Sequence, residues 1–375
     1  MTHVVSPRLA AVAKALPPSR LSTDELLDAG RGHLSDKLVD MLLRMGVETR
    51  YSLLANFPDM LFRGADPEPL VGATELVVGA ARECLEKASV PVESIGLVLG
   101  VSSSPGRLMP SLVCEALAQM PELPRDVANL SIQYMGCSAM SKVVETARWY
   151  LTCEPAKHVL VLFMDAVTPL SPPLAGHYSH FSELPKEQRQ STVDVMHGFL
   201  FGDAAVAMVF GAGSPGPAFG PVSSLTNEKP EDAELGTVPD GGADVPVVHG
   251  RRLYTLSPDV TPRGAHYARR TVANLLAAGG ELADPADAVT LLMHTGSTRI
   301  LDGLCTELGV SPSSPAVASS YQVLRDYGNT IGCSVPLMLA EPVYRDEGVG
   351  LVLAFGLSFS CGAFTMTVPE GGWKP

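Results

Sequence analysis

One stretch of this chain is written twice. Residues 92–104, VESIGLVLGVSSS, lie over residues 285–297, PADAVTLLMHTGS, at an offset of 193. The same offset sets Tyr134 of YMGCSA over Tyr327 of YGNTIG. Shared spacing across two separate segments marks an internal duplication. That constrains the fold strongly, because two copies of one unit must each build the same sheet and cover the same faces.

Short apolar runs alternate with helical patterns along both copies. SIGLVLGVSS (94–103) reads as a buried strand and SLVCEALAQM (111–120) as the helix after it. LSIQYMG alternates, with Leu130, Ile132 and Tyr134 on one side. Cys137 then opens a helix in which Met140, Val143, Val144, Ala147 and Leu151 recur at three- and four-residue steps. HVLVLFMDAV (158–167) and AAVAMVFGAG (204–213) are further buried strands. The Pro-, His- and Ser-rich stretch from Thr168 to Met196 is too long for a simple connector and reads as a cap shaping a tunnel or a dimer contact. SPGPAFGPVSS (214–224) marks the seam, giving an N-terminal half over 1–215, with its cap over about 168–196, and a C-terminal half over 216–375. Strands apolar on both faces need helices on both sides. Two such sheets back to back, sharing helices between them, predict an α/β fold of five layers, αβαβα, with pseudo-symmetric halves.

Composition permits this body and excludes some functions. With 375 residues, 46% of them hydrophobic, the chain can fill an ample core. Forty acidic residues against 27 basic ones leave a net charge of −13, which argues against nucleic acid as a main partner. Seven cysteines, an odd number with no C-x-x-C pair, read as free thiols in a reducing cytoplasm. No signal-like start and no apolar run of membrane-spanning length is found, so the expectation is a soluble, cytoplasmic protein with no membrane partner.

Three residues carry the chemistry. Cys137 sits at a strand-to-helix corner, where a helix N-terminus can stabilise a thiolate. His294 ends the apolar run AVTLLM, and strand ends in α/β sheets face ligand crevices. Asn329 lies in DYGNT, under the overlay at the corner matching that of Cys137. Each alone is ordinary: a buried thiol, a core histidine, a turn signal. Together, at related corners of a duplicated fold, they converge near the pseudo-dyad. A thiolate exchanges readily with thioesters, and an imidazole with a carboxamide can donate two hydrogen bonds to one thioester oxygen.

YMGCSAM, LFGDAAVAMV, MHTGSTRILDGL, DYGNT and LAFGLSFSCGAF occur in an order that resembles the thiolase superfamily, and within it ketoacyl-ACP synthase III and the type III polyketide synthases. The resemblance runs from GVETRY to the C-terminal strand pair. It implies a decarboxylating, Claisen-condensing ketosynthase with Cys137 as the acyl-carrying nucleophile and His294 with Asn329 as the decarboxylation pair. It further implies Phe201 as the aromatic gate of the pocket, and the backbone N–H groups of Cys137 and Leu357 as the oxyanion hole. Arg44 matches a residue near the coenzyme A nucleotide, and Arg299 one that helps dock acyl carrier protein. Substrates would be acyl-CoA or acyl carrier protein phosphopantetheine thioesters, with no permanently bound cofactor and no metal. The expected assembly is a homodimer, in polyketide or specialised-metabolite synthesis more than fatty-acid synthesis. Ser358 replaces a second glycine of the family's C-terminal loop, Asp40 stands where the synthase III branch often has tryptophan, and fewer lysines surround GVETRY than in the polyketide branch. With Arg299 present, the last two departures favour a carrier protein as donor.

Acyl transfer onto an alcohol or amine is the alternative, but related enzymes with that activity tend to replace the asparagine. A Cys-His-Asn hydrolase would need a CGSCW-type context, which is lacking. A non-catalytic synthase subunit would generally have lost the cysteine. GAGSPG (211–216) fits G-x-G-x-x-G but precedes PAFGPV rather than a helix, so it is no dinucleotide site. HYSH (177–180) has no third metal ligand in sight. The arginines of GRRLYTL and ARRTV read mostly as a solvated face, some of them part of a carrier-protein patch.

Overall fold

The computed structural model describes residues 4–174, 176–185, 188–238, 255–257, 259–356 and 359–375. The chain starts with β1 (Arg8–Ala15), then β2 (Ser19–Ser22), α1 (Thr23–Ala29), α2 (Asp36–Leu43), β3 (Thr49–Ser52), α3 (Phe57–Arg63) and α4 (Ala73–Ala88). Next come β4 (Ile95–Ser104), α5 (Leu112–Gln119), β5 (Ala128–Gln133), α6 (Ala139–Cys153), β6 (His158–Asp165), α7 (Arg189–Leu200) and β7 (Ala204–Gly211). The remainder forms β8 (Ala218–Thr226), the short pair β9 (Gly236–Thr237) and β10 (Thr255–Leu256), α8 (Val260–Ala277), β11 (Leu291–Met293) and α9 (Thr298–Glu307). It closes with α10 (Ala318–Tyr327), α11 (Ser334–Ala340), β12 (Gly348–Gly356) and β13 (Ser360–Val368).

Nine strands join in the order β11-β12-β13-β8-β1-β7-β6-β4-β5. Outward from the β1–β8 junction the two arms match. Each runs through two antiparallel pairings and then a parallel one: β1–β7–β6–β4 on one side, β8–β13–β12–β11 on the other. Only β5 lacks a counterpart. At the junction β1 and β8 share a single residue pair, Arg8 with Ala218, so the strands form two half-sheets hinged at one corner.

Side-chain alternation then produces the layers. In β6, Val159, Val161 and Phe163 enter one core while Leu160, Leu162 and Met164 enter another, all fully buried. The first core is the middle of the molecule. It holds Val143, Ala147 and Leu151 of α6, Leu337 and Leu339 of α11, and Leu292, Val352 and Phe364 from the other half-sheet. The second lies beneath α4 and α5, through Val77, Ala81 and Val113. A third, through Tyr267 and Leu275 of α8 and Leu301 and Leu304 of α9, covers the outer face of β11 and β12. The five layers expected from doubly apolar strands are therefore present, with α6 and α11 shared between the half-sheets. Each fully buried Leu, Val or Phe contributes about 1.5–3 kcal/mol relative to exposure, so the central layer is the main source of cohesion.

The last residues of the stretch 168–196, which the sequence already reads as more than a connector, begin α7. Val195 and Phe199 of that helix bury against Phe57, Leu61 and Leu38 of α1–α3, forming a satellite core beside the main body. The expected alternation of LSIQYMG holds only in part: within β5 Ile132 is buried while Leu130 stays about half exposed, and Tyr134, also half exposed, lies beyond the strand at a left-handed φ of +59°. The strand is the open edge of its half-sheet.

Candidate active site

The duplicated corners meet, shifted by two residues from the sequence overlay. Each opens on a left-handed residue (Gly136 at φ +55°, Ile331 at +51°), makes one tight turn and enters a central helix, α6 or α11. The two turns touch: a Cβ on Gly332 would lie 3.7 Å from the Gly136 carbonyl oxygen.

One apolar cavity of about 120 Å³ lies at this junction. Cys137, His294 and Asn329 line it, with Phe201, and its walls include Ile300, Phe355 and Phe359. Three elements deliver the three polar groups. Cys137 comes from the turn into α6. His294 follows β11, its backbone N–H donating to the carbonyl of Leu353 at 3.0 Å, and its ring meets Phe355 edge-on at 5.7 Å. Asn329 follows Gly328, whose left-handed φ of +71° and close approach to the Leu200 carbonyl leave no room for a side chain. Around Phe201 and Asn329 two segments of the chain pair in parallel: Asn329 N–H donates to Leu200 O at 2.8 Å, and Gly202 N–H donates to Asn329 O at 3.2 Å. The Asn329 side-chain oxygen accepts the N–H of Ile331 at 2.9 Å, which leaves its NH₂ as the group available to a ligand.

Burial sets the electrostatics. It lowers the His294 pKa to about 3, so the imidazole is neutral at ordinary pH and can donate or accept a hydrogen bond. It also pushes the Cys137 thiol well above its usual value, and the negative charge of Asp165 adds to that rise. The helix N-terminus acts in the opposite direction. The thiol is thus less acidic than its position at a helix start suggests. Gly356 of β12 presses on the same turn, since a Cβ there would come within 2.4 Å of the Cys137 backbone nitrogen. Leu357, the other expected oxyanion donor, and Ser358 lie outside the described residues.

Arg44 and Arg299 do not line the cavity; both are exposed. They rise from adjoining turns, because Thr298 N–H donates to the carbonyl of Met45 at 3.0 Å, and Gly296 and Ile300 on either side of Thr298 reach the cavity. Sequence reading missed His197, a buried cavity residue one turn before Phe201. Its only signal was membership of α7, a helix with few apolar residues. Among the described residues no cluster of His, Cys, Asp or Glu could hold a metal ion, and no helix is long and apolar enough to cross a membrane. All seven cysteines are free.

Residues 282–368 match the family model of the 3-oxoacyl-[acyl-carrier-protein] synthase III C-terminal region. The chain is 27% identical over 315 residues to β-ketoacyl-[acyl-carrier-protein] synthase III 3 of Streptomyces coelicolor, covering 79% of this chain and 83% of that one. It is 23% identical to the β-ketoacyl-[acyl-carrier-protein] synthase III of Coxiella burnetii over 95% of this chain and 97% of that one. Among solved structures, PKS-I of the brown alga Ectocarpus siliculosus superposes with a TM-score of 0.77 at 21% identity, over 98% of this chain and 99% of that one. The C-terminal type III polyketide synthase domain of Steely1 from Dictyostelium gives the same score at 15% identity, over 97% and 99%.

Proposed function

We propose, from the premise that this chain is a thiolase-superfamily condensing enzyme, that it loads an acyl group on Cys137 and extends it by decarboxylative condensation with a malonyl-type thioester. The observation carrying this reading is the meeting of a thiol, a neutral imidazole and a carboxamide in one apolar cavity, each from a different corner of the duplicated fold.

The steps follow from those groups. The Cys137 sulfur attacks the carbonyl of an acyl thioester, the carrier thiol departs with a proton, and the acyl group is held as a cysteine thioester. The raised thiol pKa opposes this step; neutral His294 is available to take the proton and return it to the departing thiol. A malonyl thioester then enters with its carbonyl oxygen toward His294 and Asn329. As the C–C bond to the carboxylate breaks and carbon dioxide leaves, the electron pair forms an enolate whose oxygen takes hydrogen bonds from both side chains. Removing one such donor typically costs about 10²–10³ in rate. The enolate carbon attacks the acyl carbonyl, and collapse of the tetrahedral oxyanion expels the Cys137 thiolate and releases a β-ketoacyl thioester. The N–H of Cys137, with that of Leu357, is the oxyanion donor in this scheme.

Arg44 and Arg299 suit a phosphorylated pantetheine carrier. We assign coenzyme A or acyl carrier protein to that surface, with the carrier protein favoured by the lone Asp40 and sparse lysines. The boundary between the halves falls between β7 and β8, and the segment 168–196 serves as the cap. A homodimer paired along β5 is supported by the open strand edge and its exposed Leu130 and Tyr134. The free thiols suit a reducing compartment such as the cytoplasm.

Carbon dioxide release from a labelled malonyl thioester tests the condensing step. The expectation is release by the native enzyme and a loss of about 10²-fold or more in Asn329→Ala. Acyl transfer to an alcohol or amine without carbon dioxide release would overturn condensation in favour of simple acyl transfer.

A further inference from the structure

Asp165 ends β6, is 1% exposed and has no cationic partner in an ion pair or hydrogen bond among the described residues. Its two oxygens face different elements. Oδ1 accepts the backbone N–H of Ser103 at 2.7 Å, the N–H of Ser104 at 3.0 Å and the Ser104 hydroxyl at 2.9 Å. Oδ2 accepts the N–H of Gly332 at 2.9 Å. Gly332 belongs to the turn that follows Asn329. Ser103, in turn, accepts the N–H of Gly136 on its hydroxyl at 2.9 Å, one residue before Cys137. A continuous relay therefore runs from Gly136 of the Cys137 turn, which lines the cavity, through Ser103 and Asp165, which do not, to Gly332 in the Asn329 turn.

An isolated buried carboxylate has no stability of its own to offer. Burial raises its pKa to about 6, so above that pH the fold holds a charge it would do better without. Geometry supplies the reason for keeping it. A carboxylate is the compact side chain that can accept several donors on one oxygen and another on the second. Here Oδ1 takes its donors from Ser102, Ser103 and Ser104 at the end of β4, where the Ser103 hydroxyl holds the Cys137 turn through the Gly136 N–H, and Oδ2 takes its donor from the turn after Asn329.

We propose that Asp165 is a positioning residue that latches the Asn329 turn to the Cys137 turn and so sets the separation of carboxamide and thiol. The inference rests on the reading of Cys137 and Asn329 given above. It assigns Asp165 an effect on decarboxylation that is separable from acyl loading, because only Oδ2 holds the asparagine side of the relay.

Two variants test it from opposite ends. Asp165→Asn keeps one oxygen for Ser103 and Ser104 but turns an NH₂ toward the N–H of Gly332. Gly332→Ala adds a Cβ 3.0 Å from Oδ2 and pushes the same contact apart from the other side, at a residue whose φ is not left-handed. In each, acyl loading of Cys137 by mass spectrometry and carbon dioxide release from a malonyl thioester are measured side by side. The latch predicts that decarboxylation falls about ten- to a hundredfold in both variants, the scale of a 1 Å misplacement, while loading stays within about threefold of native in Gly332→Ala and is no slower than native in Asp165→Asn, which removes the charge that raises the Cys137 thiol pKa. Equal loss of both rates, or no change in either, overturns the latch. A native enzyme that neither loads acyl groups nor releases carbon dioxide would instead overturn the reading of the site.

Discussion

His294 and Asp165 lie in the same buried region and titrate in opposite senses, and that difference is measurable. The histidine's folded pKa of about 3 is below its ordinary value of 6.5, so the unfolded chain binds a proton that the native state refuses. Its contribution to stability is full above pH 6.5 and declines as pH falls, by about 1.4 kcal/mol per pH unit in the limit. Asp165 and Asp203, both raised to about 6 by burial, act in reverse: the native state binds their protons first, so stability rises as pH drops from 6 toward 3.8. The two aspartates thus mask the histidine in the native protein. Comparing His294→Asn with native protein by thermal unfolding removes that masking. The gap in stability should shrink in native's disfavour as pH falls from 7 to 5; a gap independent of pH would contradict a buried neutral imidazole. Cys137 and His294 could be singled out in the sequence because each ends or begins a recognisable apolar pattern. Asp165 could not, since HVLVLFMDAV reads as a strand whatever its last polar residue does, and its donors come from sites 61 to 167 residues away.

At the scale of elements, α6 was legible and α7 was not, for one physical reason. Met140, Val143, Val144, Ala147 and Leu151 are all fully buried because α6 is covered from both half-sheets, and that demand writes a clear period into the sequence. Helix α7 is covered mainly by the satellite core, so Val195 and Phe199 satisfy it and the rest of its sequence, RQSTVDVMHGFL, carries little pattern. Yet α7 ends at Phe201, which pairs backbone to backbone with Asn329 and closes one wall of the cavity. The cavity, about 120 Å³, is smaller than the ~150 Å³ that accommodates benzene in an apolar core. Under the proposed acyl loading, a cavity of that size favours a short acyl group. Phe201→Ala should shift acyl preference toward longer chains by about tenfold or more in kcat/KM ratio, while retaining Cys137 loading, and competition between short and long acyl thioesters measures it. An unchanged preference would mean that the gate lies elsewhere.

For the molecule as a whole, the duplication was the most informative feature. It gave the paired half-sheets, their shared helix layer and the convergence of Cys137, His294 and Asn329, although the corner match shifted by two residues, with α5 and β5 leading to one turn and α9 and α10 to the other. What no pattern in one chain could give is the fate of the β5 edge. Leu130 of that edge strand is about half exposed, and the proposed homodimer would cover it with a second copy. Leu130→Lys should convert a dimer to a monomer in sedimentation analysis; native protein sedimenting as a monomer would remove that account of the edge.

The central claim is that Cys137 holds the growing acyl chain while His294 and Asn329 serve the extender. Intact-protein mass spectrometry with peptide mapping, before and after a malonyl thioester chase, tests it most directly. The account predicts an acyl adduct on Cys137 that disappears on chasing as a β-ketoacyl product forms, persists in His294→Ala, and never forms in Cys137→Ala. An adduct on another residue, or one discharged equally fast without His294, would contradict it.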